Sequence, residues 1–425
     1  RDATGGLVGS EMCIRDSTVT VRVTLAADAA PGPREIRLET PRGISNPLRF
    51  FVGRLPEFQK PEPEIVVDAR DPSEPSYPPA PTTDISLPAV VNGQIIPRDP
   101  EMLWQRPDRF TPGTADRFRF EARKGQRLVI AAAARELIPY MADAVPGWFQ
   151  ATLALYDAKG KQVAYDDDYR FHPDPVLLFK VTEDGQYVVE IRDAIYRGRP
   201  DFVYRIALGE LPYITSVFPL GGPAGAATTV KLSGWHLPTE TLTIDAQDMA
   251  PGLHPLMVRK VEMISNTIPF SVDTLPEFLE QEPNDSTHAA QAVALPVIVN
   301  GRIDRPDDWD VFRFEGRAGQ EMIAEVRARR LESPLDSVLE LFDAAGGRLA
   351  FNDDHEDKFD HLRTHHADSL IRFTLPAETD EARQAAHELH KVSNKVHQAF
   401  DMDSIFTFYR ANICGLFLAH ARTRG

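Results

Sequence analysis

Cysteine is nearly absent: Cys13 and Cys414 are the only two in 425 residues. Neither lies inside a repeated segment, so a disulfide framework and a cysteine-ligated metal site are both excluded. The compartment stays open, because domains with adequate cores do without disulfides even when secreted. Long apolar runs are also missing. The nearest, Ile413 to Ala419, falls far short of the eighteen or so residues of a membrane span. Basic charge is scarce, with 47 Lys and Arg against 63 Asp and Glu and a net charge of −16. That balance argues against nucleic acid and anionic membrane surfaces as partners. Catalytic signatures are missing too. There is no Gly-x-Ser-x-Gly elbow, phosphate-cradling loop or dinucleotide fingerprint. HELH at 387–390 is one residue short of the zinc-protease His-Glu-x-x-His. Ser233 in KLSGWH reads as a structural residue on a strand-to-turn. These absences point away from an enzyme.

What the chain does have is repetition. APGPREIRLETPRGISNPLRFFVGRLPEF at 30–58 aligns without a gap on APGLHPLMVRKVEMISNTIPFSVDTLPEF at 250–278. LPAVVNGQI at 87–95 returns as LPVIVNGRI at 295–303, and ADRFRFEARKGQ at 115–126 as WDVFRFEGRAGQ at 309–320. LALYDAKGKQVAYDDD at 153–168 returns as LELFDAAGGRLAFNDD at 339–354. The order is kept while the offset shrinks from 220 to 186, so one ancestral unit occurs twice with insertions in the first. An array of domains follows, and a modular, non-catalytic role with it.

Segments such as RFRFEA, RLVIAAAA, ATLALYDA, QYVVEIRDA and SVLELFDA alternate apolar with polar residues between Gly, Pro, Asn and Asp turns. This is the pattern of antiparallel strands with one buried face, and short strands at this spacing build β-sandwiches. DAKGKQ and DAAGGR read as hairpin turns.

Two kinds of module alternate. The smaller, 211–274, opens with Pro212, Ile214, Pro219, Gly221, Gly222 and Gly234 in a pattern that resembles the immunoglobulin-like IPT/TIG domain. Residues 18–54 match only its C-terminal half. The larger module spans 55–210 and, truncated, 275–377. Its Glu282-Pro-Asn284-Asp285-Ser286, Ala290, Gly301, Asp310, Phe312, Phe314, Gly319 and Leu341-Phe-Asp-x-x-Gly346 resemble the bacterial pre-peptidase C-terminal domain. The resemblance implies a jelly-roll-like β-sandwich found beside secreted peptidases and in surface proteins. The first copy carries a proline-rich insert, KPEPEIVVDARDPSEPSYPPAPTT, which reads as an extended linker. Residues 1–17 contain GLVGSEMCIRDS, which resembles sequencing-adaptor read-through and fits neither strand nor helix. Residues 378–425 replace the last two strands of the second unit, and DEARQAAHELHKVSNKVHQAF within them has helical spacing. The expected class is therefore all-β, tandem sandwiches of two types with a short α-helical C-terminal tail.

The strongest candidate site is acidic. Glu280, Glu282, Asn284 and Asp285 lie within six residues, and PDDWD adds Asp307, Asp308 and Asp310 before a strand. Calcium needs about six to eight oxygen ligands, which two acidic loops folded together can supply. In collagen-binding modules that look like this family, a Glu-x-Glu-x-Asn-Asp segment and a later Asp-x-x-Asp supply calcium ligands. By that resemblance Glu280, Glu282, Asn284, Asp285, Asp307 and Asp310 carry over. The plainer reading is a solvated turn capped by Asn284 and Asp285. The first copy holds Lys60, Glu62, Glu64 and Ile65 at the aligned positions, which argues against calcium there.

Weaker signals are the acidic runs Asp166 to Asp168 and Asn352 to Asp354, and the histidines His355, His361, His365 and His366. Trp104, Trp148, Trp235 and Trp309 offer faces for stacking on sugars or extended chains, although packing explains each of them as well. The whole reads as part of a secreted or cell-surface bacterial protein, with the periplasm as a further location. It would act in adhesion, spacing or substrate targeting toward an extracellular protein or polysaccharide. The alternative is the accessory C-terminal region of a secreted peptidase whose catalytic domain lies outside this sequence.

Overall fold

The computed structural model describes residues 21–41, 43–61, 66–67, 75–76, 81–98, 112–138, 149–170, 172–305, 308–344, 346–356, 365–376, 402–409 and 415–421. The chain divides into two units, Arg1–Glu210 and Leu211–Gly425. Both are built of strands, as the alternation requires. No helix among the described residues is long and apolar enough to cross a membrane.

The first unit contains a sandwich of two five-stranded sheets. Across one sheet run Glu57–Gln59, Ala89–Gln94, Val203–Gly209, Arg127–Ala133 and Val176–Lys180. Across the other run Thr83–Asp84, Asp116–Ala122, Gly185–Asp193, Ala151–Tyr156 and Gln162–Asp166. Asp116–Ala122 shows why the sequence chooses this form. Asp116, Phe118, Phe120 and Ala122 are buried while Arg117 and Glu121 are exposed, the two-residue period of a strand with one face inward. Phe118, Phe120, Leu128, Ile130, Leu153, Val189, Tyr204 and Ile206 fill the space between the sheets. Phe149 stacks on Phe202 with ring centroids 5.1 Å apart.

Before this sandwich lies a hairpin, Gly32–Ile36 against Leu48–Val52. Its register, Gly32 opposite Val52, recurs as Gly252 opposite Val272 in the second unit. There the hairpin belongs to a small sandwich. Tyr213–Phe218, Ala227–Trp235 and Thr241–Asp245 form one sheet, and Gly221–Pro223, Ile268–Asp273 and Gly252–Leu256 the other. Ile268 packs with Val230, Leu232 and Ile244 of the facing sheet. Leu48, its counterpart in the first unit, is 48% exposed where Ile268 is 7% exposed, because no facing sheet occurs among the first unit's described residues.

The larger sandwich of the second unit repeats the first. One sheet runs Glu277–Leu279, Val297–Ile303, Met402–Tyr409, Glu321–Arg327, Leu370–Thr374. The other runs Gln291–Val293, Trp309–Phe314, Gly415–Ala421, Ser337–Phe342, Arg348–Asn352. The expected helical tail is therefore corrected over its second half. Met402–Tyr409 and Gly415–Ala421 are strands, since two open slots between paired neighbours offer backbone hydrogen bonds that outweigh local propensity. They fill those slots in reverse chain order. Val203–Gly209 is the later of the two strands in the first unit, yet Met402–Tyr409, in the equivalent slot, is the earlier in the second. Residues 378–401, including HELH and the helical spacing, lie outside the described residues, as do residues 1–17 and most of the proline-rich insert.

A buried aspartate pins the same loop in both sandwiches. Asp174 accepts from the backbone N–H groups of Ala134, Arg135 and Glu136, and Asp368 from those of Ala328, Arg329 and Arg330. Each carboxylate satisfies three donors that would otherwise stand unpaired away from water.

Candidate metal centre

The acidic segment 280–285 leaves the first strand of one sheet and crosses to the first strand of the other. Glu280 N–H donates to Asn300 O at 3.0 Å, continuing the pairing of Glu277–Leu279 with Val297–Ile303. Further along, Val311 N–H donates to Asn284 O at 3.2 Å, which fastens the loop to Trp309–Phe314. Proximity follows from that path. Carboxylate oxygens of Glu280, Glu282 and Asp310 lie within 4.8 Å of one another, and so do those of Glu282, Asp285 and Asp308. Glu282 belongs to both groups.

Asn284 is fully buried and orients the cluster. Its side-chain amide donates to Glu280 Oε1 at 2.8 Å and its backbone N–H to Glu282 Oε2 at 3.0 Å. Glu280 Oε2 also accepts from Arg302 N–H at 2.6 Å. The oxygens on the inner side have no such service. Asn284 Oδ1, Asp285 Oδ1 and both carboxylate oxygens of Asp310 are buried without a hydrogen-bond donor. Asp310 and Asn284 have no exposed surface at all. Buried acceptors of this kind are costly unless something positive reaches them.

The electrostatics agree. Burial raises the Asp310 carboxyl well above the usual carboxylate range, and the neighbouring Glu280 carboxylate adds to the rise. Burial, with Asp285 and Glu282 beside it, pushes Asp308 up to about 6. Glu282 is raised for the same reasons. Arg305 lies against the group, 2.5 Å from Asp285 Oδ2 and 3.5 Å from Asp308 Oδ1, and it stands at the exposed rim. The donor set is all oxygen, crowded and anionic, which fits a hard divalent cation such as calcium.

Of the residues read from the sequence, Glu280, Glu282, Asn284, Asp285 and Asp310 are brought together, while Asp307 lies outside the described residues. Asp308, named in the acidic run but not in the ligand set that the resemblance implies, joins the cluster. The signal was present in PDDWD: residues two apart on an extended chain share a face, so Asp308 accompanies Asp310.

The first unit puts a side chain where the second leaves orphaned oxygens. Lys60 occupies the place of Glu280, its N–H donating to Asn92 O just as Glu280 N–H donates to Asn300 O. Its ammonium reaches Asp116, the counterpart of Asp310, at 2.6 Å and is itself buried. Tyr204 donates to the other Asp116 oxygen at 2.7 Å.

The remaining candidates are structural in their contacts. Asp166 accepts from Val176 N–H at 2.7 Å and Asn352 from Leu370 N–H at 2.8 Å, equivalent ties between turn and strand. Asp336, Asp353 and Asp354 have oxygens within 4.8 Å of one another, but each also engages other groups of the protein. His355 stands opposite His366 in a short hairpin, and His361 lies outside the described residues. Trp309 packs against Val311 and Phe342, Trp235 lies edge-on to His236, and Trp104 and Trp148 are outside the described residues.

Beside the cluster, Glu277 is pushed up to about 7, chiefly by burial. Its counterpart Glu57 is pulled down, first by its hydrogen bond to Arg205. A carboxyl raised by folding keeps a proton that the unfolded chain has already lost, so stability falls as pH climbs from about 4.5 to about 7. Glu277→Gln is expected to stabilise the second unit by about 1–3 kcal/mol at pH 8 and to change nothing at pH 4. Denaturant titration of parent and variant at the two pH values checks it.

No family model matches the chain. A stretch of 100 residues, 23% of the chain, is 37% identical to a probable subtilase-type serine protease of Deinococcus radiodurans. The chain spans only 12% of that relative's length. Among solved structures it is similar to the pre-peptidase C-terminal domain of collagenase from Bacillus anthracis. That match has 13% identity and a TM-score of 0.21, and covers 31% of this chain and 99% of that one. A second is the M60 catalytic domain with the CBM51-1 and CBM51-2 domains of Clostridium perfringens ZmpB. It has 10% identity and a TM-score of 0.17, and covers 96% of this chain and 43% of that one.

Proposed function

We infer that the chain is a non-catalytic, modular region of a secreted or cell-surface bacterial protein, and that its second unit is stiffened by calcium. The observation that carries the metal reading is the set of buried, donorless oxygens on Asp310, Asn284 and Asp285, together with the Lys60 ammonium set against Asp116, the counterpart of Asp310, in the other copy. Glu280, Glu282, Asn284, Asp285, Asp308 and Asp310 would hold the ion. Calcium would supply the positive charge that this crowd of carboxylates lacks, tying the loop after Glu277–Leu279 to the start of Trp309–Phe314. Because that loop follows the small sandwich by a few residues, fixing it also fixes the entry into the large one. Spacing and adhesion, or presentation of an extracellular protein or polysaccharide, suit such a stiffened array.

A second reading has one observation in its favour, the stretch shared with a subtilase-type protease. On it, the chain is the accessory region of a secreted peptidase and serves substrate targeting. Both readings rest on the same joint. Limited proteolysis of the full chain is expected to cut between Glu280 and Asp310 in chelator and to be slowed there at least about tenfold by calcium. Equal cutting with and without calcium would contradict the joint.

A further inference from the structure

In the first unit, Val203–Gly209 lies at the centre of its sheet, and two adjacent residues on it serve its neighbours. Tyr204 donates to Asp116, and Arg205 reaches Glu57 Oε1 at 2.7 Å and Asn92 Oδ1 at 2.9 Å. Gly93 stands opposite Tyr204 in register, and a Cβ there would run into the tyrosine ring and hydroxyl. The second unit keeps every receiving group: Asp310 for Asp116, Glu277 for Glu57, Asn300 for Asn92 and Gly301 for Gly93. It lacks the two residues they receive. Register places Ser404 opposite Gly301 and Ile405 opposite Asn300.

The consequence is visible in the acceptors. Asn300 is 1% exposed, and its Oδ1 has no donor. Its amide donates to Glu277 just as that of Asn92 donates to Glu57, but Glu57 also receives Arg205. Asp116 has the Lys60 ammonium in ion-pair contact with one oxygen and a hydrogen bond from Tyr204 on the other, whereas neither oxygen of Asp310 has a hydrogen-bond donor. Met402–Tyr409 fills the slot by backbone pairing on both sides, and its sequence has Ser404 and Ile405 where the first unit has Tyr204 and Arg205, so a better-matched strand would have to displace it.

We propose that the slot between Val297–Ile303 and Glu321–Arg327 is a strand-acceptor site for an extended segment of another polypeptide carrying adjacent tyrosine and arginine. The tyrosine lies over Gly301 and donates to Asp310, and the arginine bridges Glu277 and Asn300 on the opposite face of the sheet. Aliphatic residues two and four places after the tyrosine enter the core, as Ile206 and Leu208 do in the first unit. Asp310 is shared with the calcium reading, but Glu277, Asn300 and Gly301 take no part in it, so the arginine contact, read in chelator, can fail separately.

A labelled peptide of residues 201–210, DFVYRIALGE, tests this against the full chain by fluorescence anisotropy in chelator. Saturable binding is expected, weakened about tenfold when the peptide carries Arg205→Ala, because a buried carboxylate and amide lose their charged partner. Hydrogen exchange should place the added protection on Val297–Ile303. No saturable binding, equal affinity for the two peptides, or protection on Ala89–Gln94 instead would overturn the proposal.

Discussion

Asp310→Asn is expected to make the second unit more stable in chelator and to remove its response to calcium. Asp310 is fully buried, its carboxyl raised by burial and by the Glu280 carboxylate, so without a cation its charge works against folding. An amide of nearly the same shape relieves that repulsion. With calcium the sign reverses. An ion at a hundred times its dissociation constant stabilises the parent by about 2.7 kcal/mol, worth about 5–10 °C in a unit of this size. The variant gives that up, since it loses an anionic ligand at the centre of the group. Melting curves of the full chain in chelator and in calcium would therefore cross between parent and variant. A capped, solvated turn predicts no crossing, and small changes of one sign.

The second large effect is expected in the first unit, where the cation is part of the chain. Lys60→Met would leave Asp116, 1% exposed in its side chain, without its ammonium partner. Removing one member of a buried ion pair costs about 3–5 kcal/mol, because the other stays buried and uncompensated. Asp116 is already raised by burial, with Lys60 holding it back, so the variant should take up a proton as it folds. Hydrogen exchange on Asp116–Ala122 would rise sharply while Trp309–Phe314 stays as in the parent. The reciprocal change, Glu280→Lys, should carry the ammonium into the second unit and abolish its calcium response. A loss under about 1 kcal/mol for Lys60→Met would show that the pair does not hold the first unit together.

Most of the architecture was legible in the chain because a strand buried on one face writes itself at period two, and because the repeat writes it twice. DRFRFEA and WDVFRF became strands paired on both sides, with the expected faces inward. The tail was not legible. Met402–Tyr409 and Gly415–Ala421 take their form from the neighbours that flank them, and a local reading carries no information about an open slot. The candidate site was found through its motif, but its membership was decided by geometry. Asp308 came in through its place two residues before Asp310 on an extended chain, and Asp174 and Asp368 gather three backbone donors each with no motif to announce them. The contrast between Lys60 and Glu280 was visible as a substitution, and only the fold turned it into a stand-in charge aimed at the same aspartate.

Calorimetric titration of calcium into the full chain, with Asn284→Ala plus Asp310→Ala as its partner, bears most directly on the account. A saturable heat in the parent, absent from the double variant, is the result expected. No calcium heat in the parent, or the same heat in both proteins, would contradict the reading of residues 280–310 as a cation-stiffened joint.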